Sequence, residues 1–377
     1  MKRFLALVCL AAAMMSGSVR AAGPELSAPS ALLMEKETGQ VLFALGEHEP
    51  REPASVTKVM TLLLVMEAID SGALGYDDTV TPSAHAASMG GSQIWLKEGE
   101  QMSVRDLLKA VCVVSGNDAS VALGEHLAGS ETAFVERMNR RAQELGMNDT
   151  HFVNCTGLPA EGHVTSAYDI ALMSRELIAK HPDIRQFTTL WMDSLRGGAS
   201  MLVNTNKLIR FYPGATGLKT GSTGAAKFCL SATAERDGME LIAVVLKAPT
   251  SDERFADARA LLDYGFATYT LLTVTPDEAL APIPVTLGER GAVQPVLTED
   301  NTLLLEKAAA QGLTKSVSLP DAVDAPVHAG DPLGALTLTD GAGQTVAELA
   351  ILAGESVPHV TWGQMFLRLL RIALCAE

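Results

Sequence analysis

Past its first thirty residues the chain presents two apolar runs, Ala31-Leu32-Leu33-Met34-Glu35 and Gln40-Val41-Leu42-Phe43-Ala44, on either side of Thr38-Gly39. Two extended runs around a glycine predict a β-hairpin. After Pro53-Ala54 the period lengthens, and Val59, Leu62, Leu63, Met66 and Ile69 recur at helical intervals, so a helix is expected with Ser55 opening it. The same period returns over Val104 to Val114, Ala119 to Leu127, Glu131 to Leu145 and Ala167 to Ala179. Gly146 stops the third of these, and the capping-box sequence Ser166-Ala167-Tyr168-Asp169 opens the fourth. Extended runs then reappear at Leu218 to Gly221, Phe228 to Ala234 and Met239 to Leu246, followed by a helical stretch from Asp252 to Phe266. Strands, then helices, then strands predict an α+β unit, a helical lobe beside one sheet.

Beyond Phe266 the texture changes. Pro276, Pro282 and Pro284 punctuate the chain, and short runs such as Leu303 to Leu305, Val317 to Leu319 and Leu336 to Leu338 sit between turn residues. A small all-β domain over residues 282–355 is expected, after a first domain over residues 24–275. Residues 361–377 form a separate amphipathic segment: Gln364, Arg368 and Arg371 share one helical face, and Met365, Phe366, Leu369, Leu370 and Ala373 take the other. Too short to span a bilayer, such a helix is expected to lie in a membrane interface, its arginines towards anionic headgroups. The alternative is docking on the protein's own surface.

The ends and the composition narrow the setting. Met1-Lys2-Arg3, an apolar run from Phe4 to Met15 and the small-residue stretch Ser16 to Ala21 read as an export leader over residues 1–21. The net charge is −15, and the leader's Lys2, Arg3 and Arg20 face no acid, so the remainder is more acidic still. A field of that sign excludes nucleic acid as a partner. Cys112, Cys155, Cys229 and Cys375 are too sparse and too far apart for a disulfide scaffold. The eight histidines show no HxH or HxxxH pairing, so neither a metal nor any other cofactor is expected.

Three short motifs carry chemistry. Ser55-Val56-Thr57-Lys58 places a hydroxyl and an amine three residues apart at a helix start, where both project from one face. A serine becomes a nucleophile when a base takes its proton, and a desolvated lysine can be that base. Alone the pattern says little, since chance supplies about 0.7 such matches in a chain with this many serines and lysines. Ser115-Gly116-Asn117 sits in a break between two helical runs, where a hydroxyl can relay a proton and an amide can orient a peptide. Lys219-Thr220-Gly221, followed by Ser222, lies on an extended run. There a cation and a hydroxyl can hold a carboxylate while glycine lets a substrate backbone lie alongside.

In this order and setting the three motifs resemble those of the penicillin-binding serine peptidases and β-lactamases. Arg51-Glu52-Pro53-Ala54-Ser55, the stretch from Asn154 to Leu158, Ser166 to Asp169 and Gly217 to Gly221 narrow the resemblance to the low-molecular-mass D-alanyl-D-alanine carboxypeptidases. The resemblance implies a helical lobe on an antiparallel sheet, with a small all-β domain and a C-terminal amphipathic helix behind it. Ser55 would attack the carbonyl between two terminal D-alanines of a peptidoglycan stem peptide, Lys58 would accept its proton, and Ser115 would pass a proton to the leaving amine. Asn117 would position the acyl side, Lys219 and Thr220 would bind the terminal carboxylate, and the N–H groups of Ser55 and Ser222 would form an oxyanion hole. β-Lactams would acylate Ser55 as covalent inhibitors. The setting implied is the outer face of the cytoplasmic membrane. Some relatives carry histidine where Ser222 stands. The alternatives are a D,D-endopeptidase, a β-lactamase and a non-catalytic wall-binding protein. For a β-lactamase the deacylating glutamate would have to be Glu144, which instead closes a helix ahead of Gly146.

Overall fold

The computed structural model describes residues 23–374. The leader expected over residues 1–21 and Cys375 lie outside the described residues. Strands β1 (Ser30–Glu35) and β2 (Val41–Leu45) form the hairpin around Thr38-Gly39. Its turn is closed by the buried Glu35 carboxylate, which accepts the N–H groups of Glu37 and Thr38 and the Thr38 hydroxyl.

Five long helices follow among the described residues: α1 (Lys58–Asp70), α2 (Val104–Val114), α3 (Asn117–Ala128), α4 (Glu131–Glu144) and α5 (Ala167–Lys180). Ser103, Ser130 and Ser166 start α2, α4 and α5, each hydroxyl accepting the N–H three residues on. Then come β3 (Ala215–Thr223), β4 (Lys227–Arg236), β5 (Met239–Ala248) and α6 (Ser251–Thr268). The five strands make one antiparallel sheet in the order β2-β1-β5-β4-β3, which leaves β3 at an edge.

Both faces of this sheet are covered. Leu32, Met34, Ile242, Val244 and Leu246 join the core of the helical lobe, while the alternate residues Ala31, Leu33, Leu241, Ala243 and Val245 pack with α6. Two-sided burial explains why β1 and β5 read as unbroken apolar runs, and each such Leu, Ile or Val contributes about 1.5–3 kcal/mol.

From Tyr269 the chain runs into a second unit, in which Tyr269–Thr273 pairs with Thr302–Glu306. A four-stranded sheet of Pro295–Leu297, Thr345–Ala353, Pro332–Thr339 and Thr314–Ser318 buries Leu336, Leu338, Leu349 and Ile351. A three-stranded sheet with Ile283–Thr286 at its centre adds Ile283, Val285 and Val293 to a second small core, which Val357 joins.

Helix α7 (Trp362–Leu374) follows and buries none of its residues. Arg368 donates to the Gly288 carbonyl at 3.0 Å and to the Glu289 carbonyl, and Gln364 donates to the Glu289 carboxylate at 2.8 Å. Part of the polar face is therefore used to pin the helix to the β unit, while Trp362, Phe366, Leu367, Leu369, Ile372 and Leu374 point into solvent. No helix among the described residues is long and apolar enough to cross a membrane.

Candidate active site

Ser55 does not open α1 directly. It sits in a 3₁₀ turn, Ala54–Thr57, that leads into α1 at Lys58. With three residues per turn, positions i and i+3 eclipse one another, and Lys58 Nζ comes to 3.0 Å from Ser55 Oγ. Ala54, immediately before the serine, has φ +48°, a left-handed conformation that a residue with a Cβ adopts only when its surroundings hold it.

Those surroundings are two glycines. A Cβ on Gly221 of β3 would stand 2.8 Å from Ser55 N, and one on Gly157 would stand 1.8 Å from the Ala54 carbonyl oxygen. The serine turn is thus clamped between β3 and the loop that follows α4.

Lys58 is fully buried. Besides Ser55 Oγ, its Nζ lies 2.6 Å from Asn117 Oδ1 and 2.6 Å from the Thr156 carbonyl. Burial pushes its pKa well below the ordinary lysine value, and the nearby Lys219 cation pushes the same way. Thr156 is presented by its own loop: Asn154 Oδ1 accepts from Thr156 N, Thr156 Oγ1 and Gly157 N, and Asn154 Nδ2 donates to the Leu158 carbonyl. The stretch from Asn154 to Leu158 is therefore a built turn whose carbonyl anchors the lysine.

Ser115 caps α2 in the left-handed region, φ +63°, and its buried Oγ has no hydrogen-bond partner among the described residues. It lines a cleft of ≈ 250 Å³ together with Ser55, Thr205, Thr220, Ser222 and Arg254. Asn117 is the first residue of α3 and not part of the break. Both ends of its amide are engaged inside the protein, Oδ1 with Lys58 and Nδ2 with the Gly90 carbonyl at 2.7 Å.

Along the edge strand β3, Thr220 Oγ1 meets Thr205 Oγ1 at 2.7 Å on the cleft wall. Lys219 is buried behind it and donates to the Thr220 carbonyl at 2.8 Å. Burial brings the Lys219 pKa down to about 7, with Cys112 opposing and the Arg254 cation adding to the fall.

Arg254, one turn into α6, escaped the sequence reading, where Asp252 to Phe266 is simply a helix. Its Nη1 donates to the Gly221 and Cys229 carbonyls, each at 3.3 Å, and its guanidinium stacks over the Phe228 and Phe255 rings. Its Nε is buried with no partner among the described residues, and burial lowers its pKa only to about 10, which keeps it charged. The one available signal was an arginine on the face of α6 that must bury. Glu144 lies elsewhere: it pairs with Arg141 at 3.4 Å and lines a separate cavity with Arg137 and Arg140.

The arrangement brings a serine hydroxyl against a buried amine, beside a second hydroxyl unpartnered among the described residues and a cationic wall, at an open strand edge. Two family models match: one described as D-alanyl-D-alanine carboxypeptidase over residues 17–250, and one described as the C-terminal domain of penicillin-binding protein 5 over residues 269–359. The D-alanyl-D-alanine carboxypeptidase DacF of Bacillus subtilis is 44% identical over 335 residues, 88% of this chain and 86% of the relative. Penicillin binding protein 5 from Haemophilus influenzae superposes with a TM-score of 0.78 at 29% identity, over 90% of this chain and 99% of that one. Penicillin-binding protein D2 from Listeria monocytogenes, in its ampicillin-bound form, superposes with a TM-score of 0.59 at 35% identity, over 64% of this chain and 100% of that one. Fold and relatives together define a penicillin-binding serine peptidase. The chain belongs to the D-alanyl-D-alanine carboxypeptidase family and is a serine-type hydrolase.

Proposed function

We propose that the protein removes the terminal D-alanine from peptidoglycan stem pentapeptides through an acyl-enzyme on Ser55. The observation that carries this reading is the environment of Lys58. A neutral amine has two N–H groups and one lone pair, and here two obligate acceptors, Asn117 Oδ1 and the Thr156 carbonyl, take the two donors. The lone pair is left for the Ser55 hydroxyl at 3.0 Å. Ser55 Oγ then attacks the carbonyl carbon between the two D-alanines as its proton passes to Lys58 Nζ. The backbone N–H groups of Ser55 and Ser222 stabilise the oxyanion, and a proton reaches the leaving amine through Ser115, whose unpartnered Oγ faces the cleft. Water, deprotonated by Lys58, releases the shortened peptide.

The carboxylate of the leaving D-alanine is bound by Thr220 and Arg254 on the cleft wall, with Lys219 supplying charge from behind. β-Lactams acylate the same serine, a reading supported by the ampicillin-bound relative. Incubation with a stem pentapeptide should release one D-alanine per peptide, and Arg254→Ala should lower kcat/KM by about 10- to 100-fold, the loss of a charged hydrogen-bond pair. Cross-linked dimers without free D-alanine would move the assignment to transpeptidation.

The export leader over residues 1–21 supports a location on the outer side of the cytoplasmic membrane, where the wall lies. Helix α7 is read as its tether. With its polar stripe pinned to Gly288 and Glu289, its exposed apolar face is free to enter a lipid interface. Vesicles of one-third anionic lipid should retain the full chain and release a chain ending at residue 360; equal retention of both would sink the tether.

A further inference from the structure

We infer that His163 is a positioning residue that aims the oxyanion-hole N–H of Ser55, acting through Thr57 and the Ala54 carbonyl. The inference rests on the serine-peptidase reading of the site. Three hydrogen bonds form a chain whose direction is fixed at one end. Val153 N lies 3.0 Å from His163 Nδ1, and a backbone N–H can only donate, so Nδ1 is an unprotonated acceptor. The proton of the neutral ring is therefore on Nε2, which donates to Thr57 Oγ1 at 2.8 Å. The Thr57 hydroxyl donates its own proton in turn to the Ala54 carbonyl, which can only accept, at 2.9 Å.

That carbonyl belongs to the peptide linking Ala54 to Ser55. A trans peptide is planar, with its C=O and N–H antiparallel, so holding the Ala54 oxygen sets the direction of the Ser55 N–H. The need is local, because Ala54 holds a left-handed φ of +48° that it would leave if released. A carbonyl engaged as an acceptor also polarises its own peptide and strengthens the N–H on the other side. His163 is buried, and burial, with His151 adding to it, takes its pKa down to about 4. The ring therefore stays neutral, and the chain keeps its direction, in neutral solution.

The test separates the two ends of the imidazole. His163→Gln retains a donor towards Thr57 and loses the acceptor for Val153; His163→Asn does the reverse. With a fluorescent penicillin on the full chain, His163→Asn and Thr57→Val should acylate at least about tenfold more slowly, as expected for a displaced catalytic group. The dissociation constant of the non-covalent complex should stay near that of the wild type, and His163→Gln should acylate nearly as fast as the wild type. A residue that merely tethers the loop at Val153 would give the opposite order, with His163→Gln the slower, and that order overturns the inference. Wild-type rates in Thr57→Val overturn it as well, whatever the histidine variants do. A wild-type chain that forms no adduct overturns the reading of the site itself.

Discussion

Lys58→Arg is expected to slow acylation of Ser55 by a β-lactam about 10³-fold or more, although it keeps a cation in place, and Ser55→Ala is expected to form no adduct. The reason lies in proton count. A guanidinium stays protonated under any condition a folded protein meets, so it has no lone pair for the Ser55 hydroxyl. Its planar fork also mismatches two acceptors arranged around a single nitrogen, Asn117 Oδ1 and the Thr156 carbonyl, both at 2.6 Å from Lys58 Nζ. The pH dependence follows from the same count. Neutral Lys58 is the reactive form and dominates above its pKa; burial, and then the Lys219 charge, lower that pKa. Acylation by the wild type should therefore rise with pH and level off well below the range in which a free lysine titrates. Stopped-flow acylation across pH, with circular dichroism to confirm the fold, checks both statements. A Lys58→Arg rate within tenfold of the wild type, or a wild-type rate that nowhere rises with pH, would remove Lys58 from the role of base; a fall through neutrality would report Lys219, whose pKa is about 7.

The sequence made the frame of this site visible because frame residues obey periodicity. The strands β1 and β5 are unbroken apolar runs, and the helices α2, α4, α5 and α6 each start at a serine or threonine whose hydroxyl accepts the N–H three residues on. Ser55, Lys58, Ser115, Lys219 and Thr220 all stand in the three motifs, and the fold places Ser55, Ser115 and Thr220 on one cleft with the buried Lys58 and Lys219 behind its wall. What stayed hidden is carried by the backbone or by tertiary burial. The hairpin of Met192–Leu195 and Ser200–Val203 has little apolar alternation, since Met192, Met201 and Val203 are exposed and only Leu195 and Leu202 are covered. The acceptor at Thr156 is a carbonyl, which no residue type announces. Arg254 looks like any surface helix residue until α6 is laid against β4 and its guanidinium comes to lie over Phe228. Asn117 reads as a substrate contact from its chemistry; that its amide also holds Lys58 and the Gly90 carbonyl becomes visible only in the fold.

Gly157 shows how strongly the site depends on close backbone packing, and Gly157→Ala is expected to destabilise the fold by about 3–5 kcal/mol and to abolish acylation. Part of the loss is conformational: Gly157 has φ +82°, where an alanine costs about 1–2 kcal/mol. The larger part is contact. The new Cβ would stand 1.8 Å from the Ala54 oxygen, 2.3 Å from the Ala54 carbonyl carbon and 2.9 Å from Ser55 N, all backbone atoms that cannot swing aside. Relief requires moving the Ala54–Ser55 peptide, the unit that presents both the nucleophile and its N–H. Gly146 supplies the control. It has a similar φ of +74° with nothing near its Cβ position, so Gly146→Ala should lose only the conformational part, about 1 kcal/mol, and acylate normally. Urea midpoints and penicillin labelling of the two variants separate strain from collision. Equal losses in both would mean that the left-handed backbone alone accounts for the need for glycine. A Gly157→Ala protein that is stable and fully reactive would show that the serine turn has room the structure denies it.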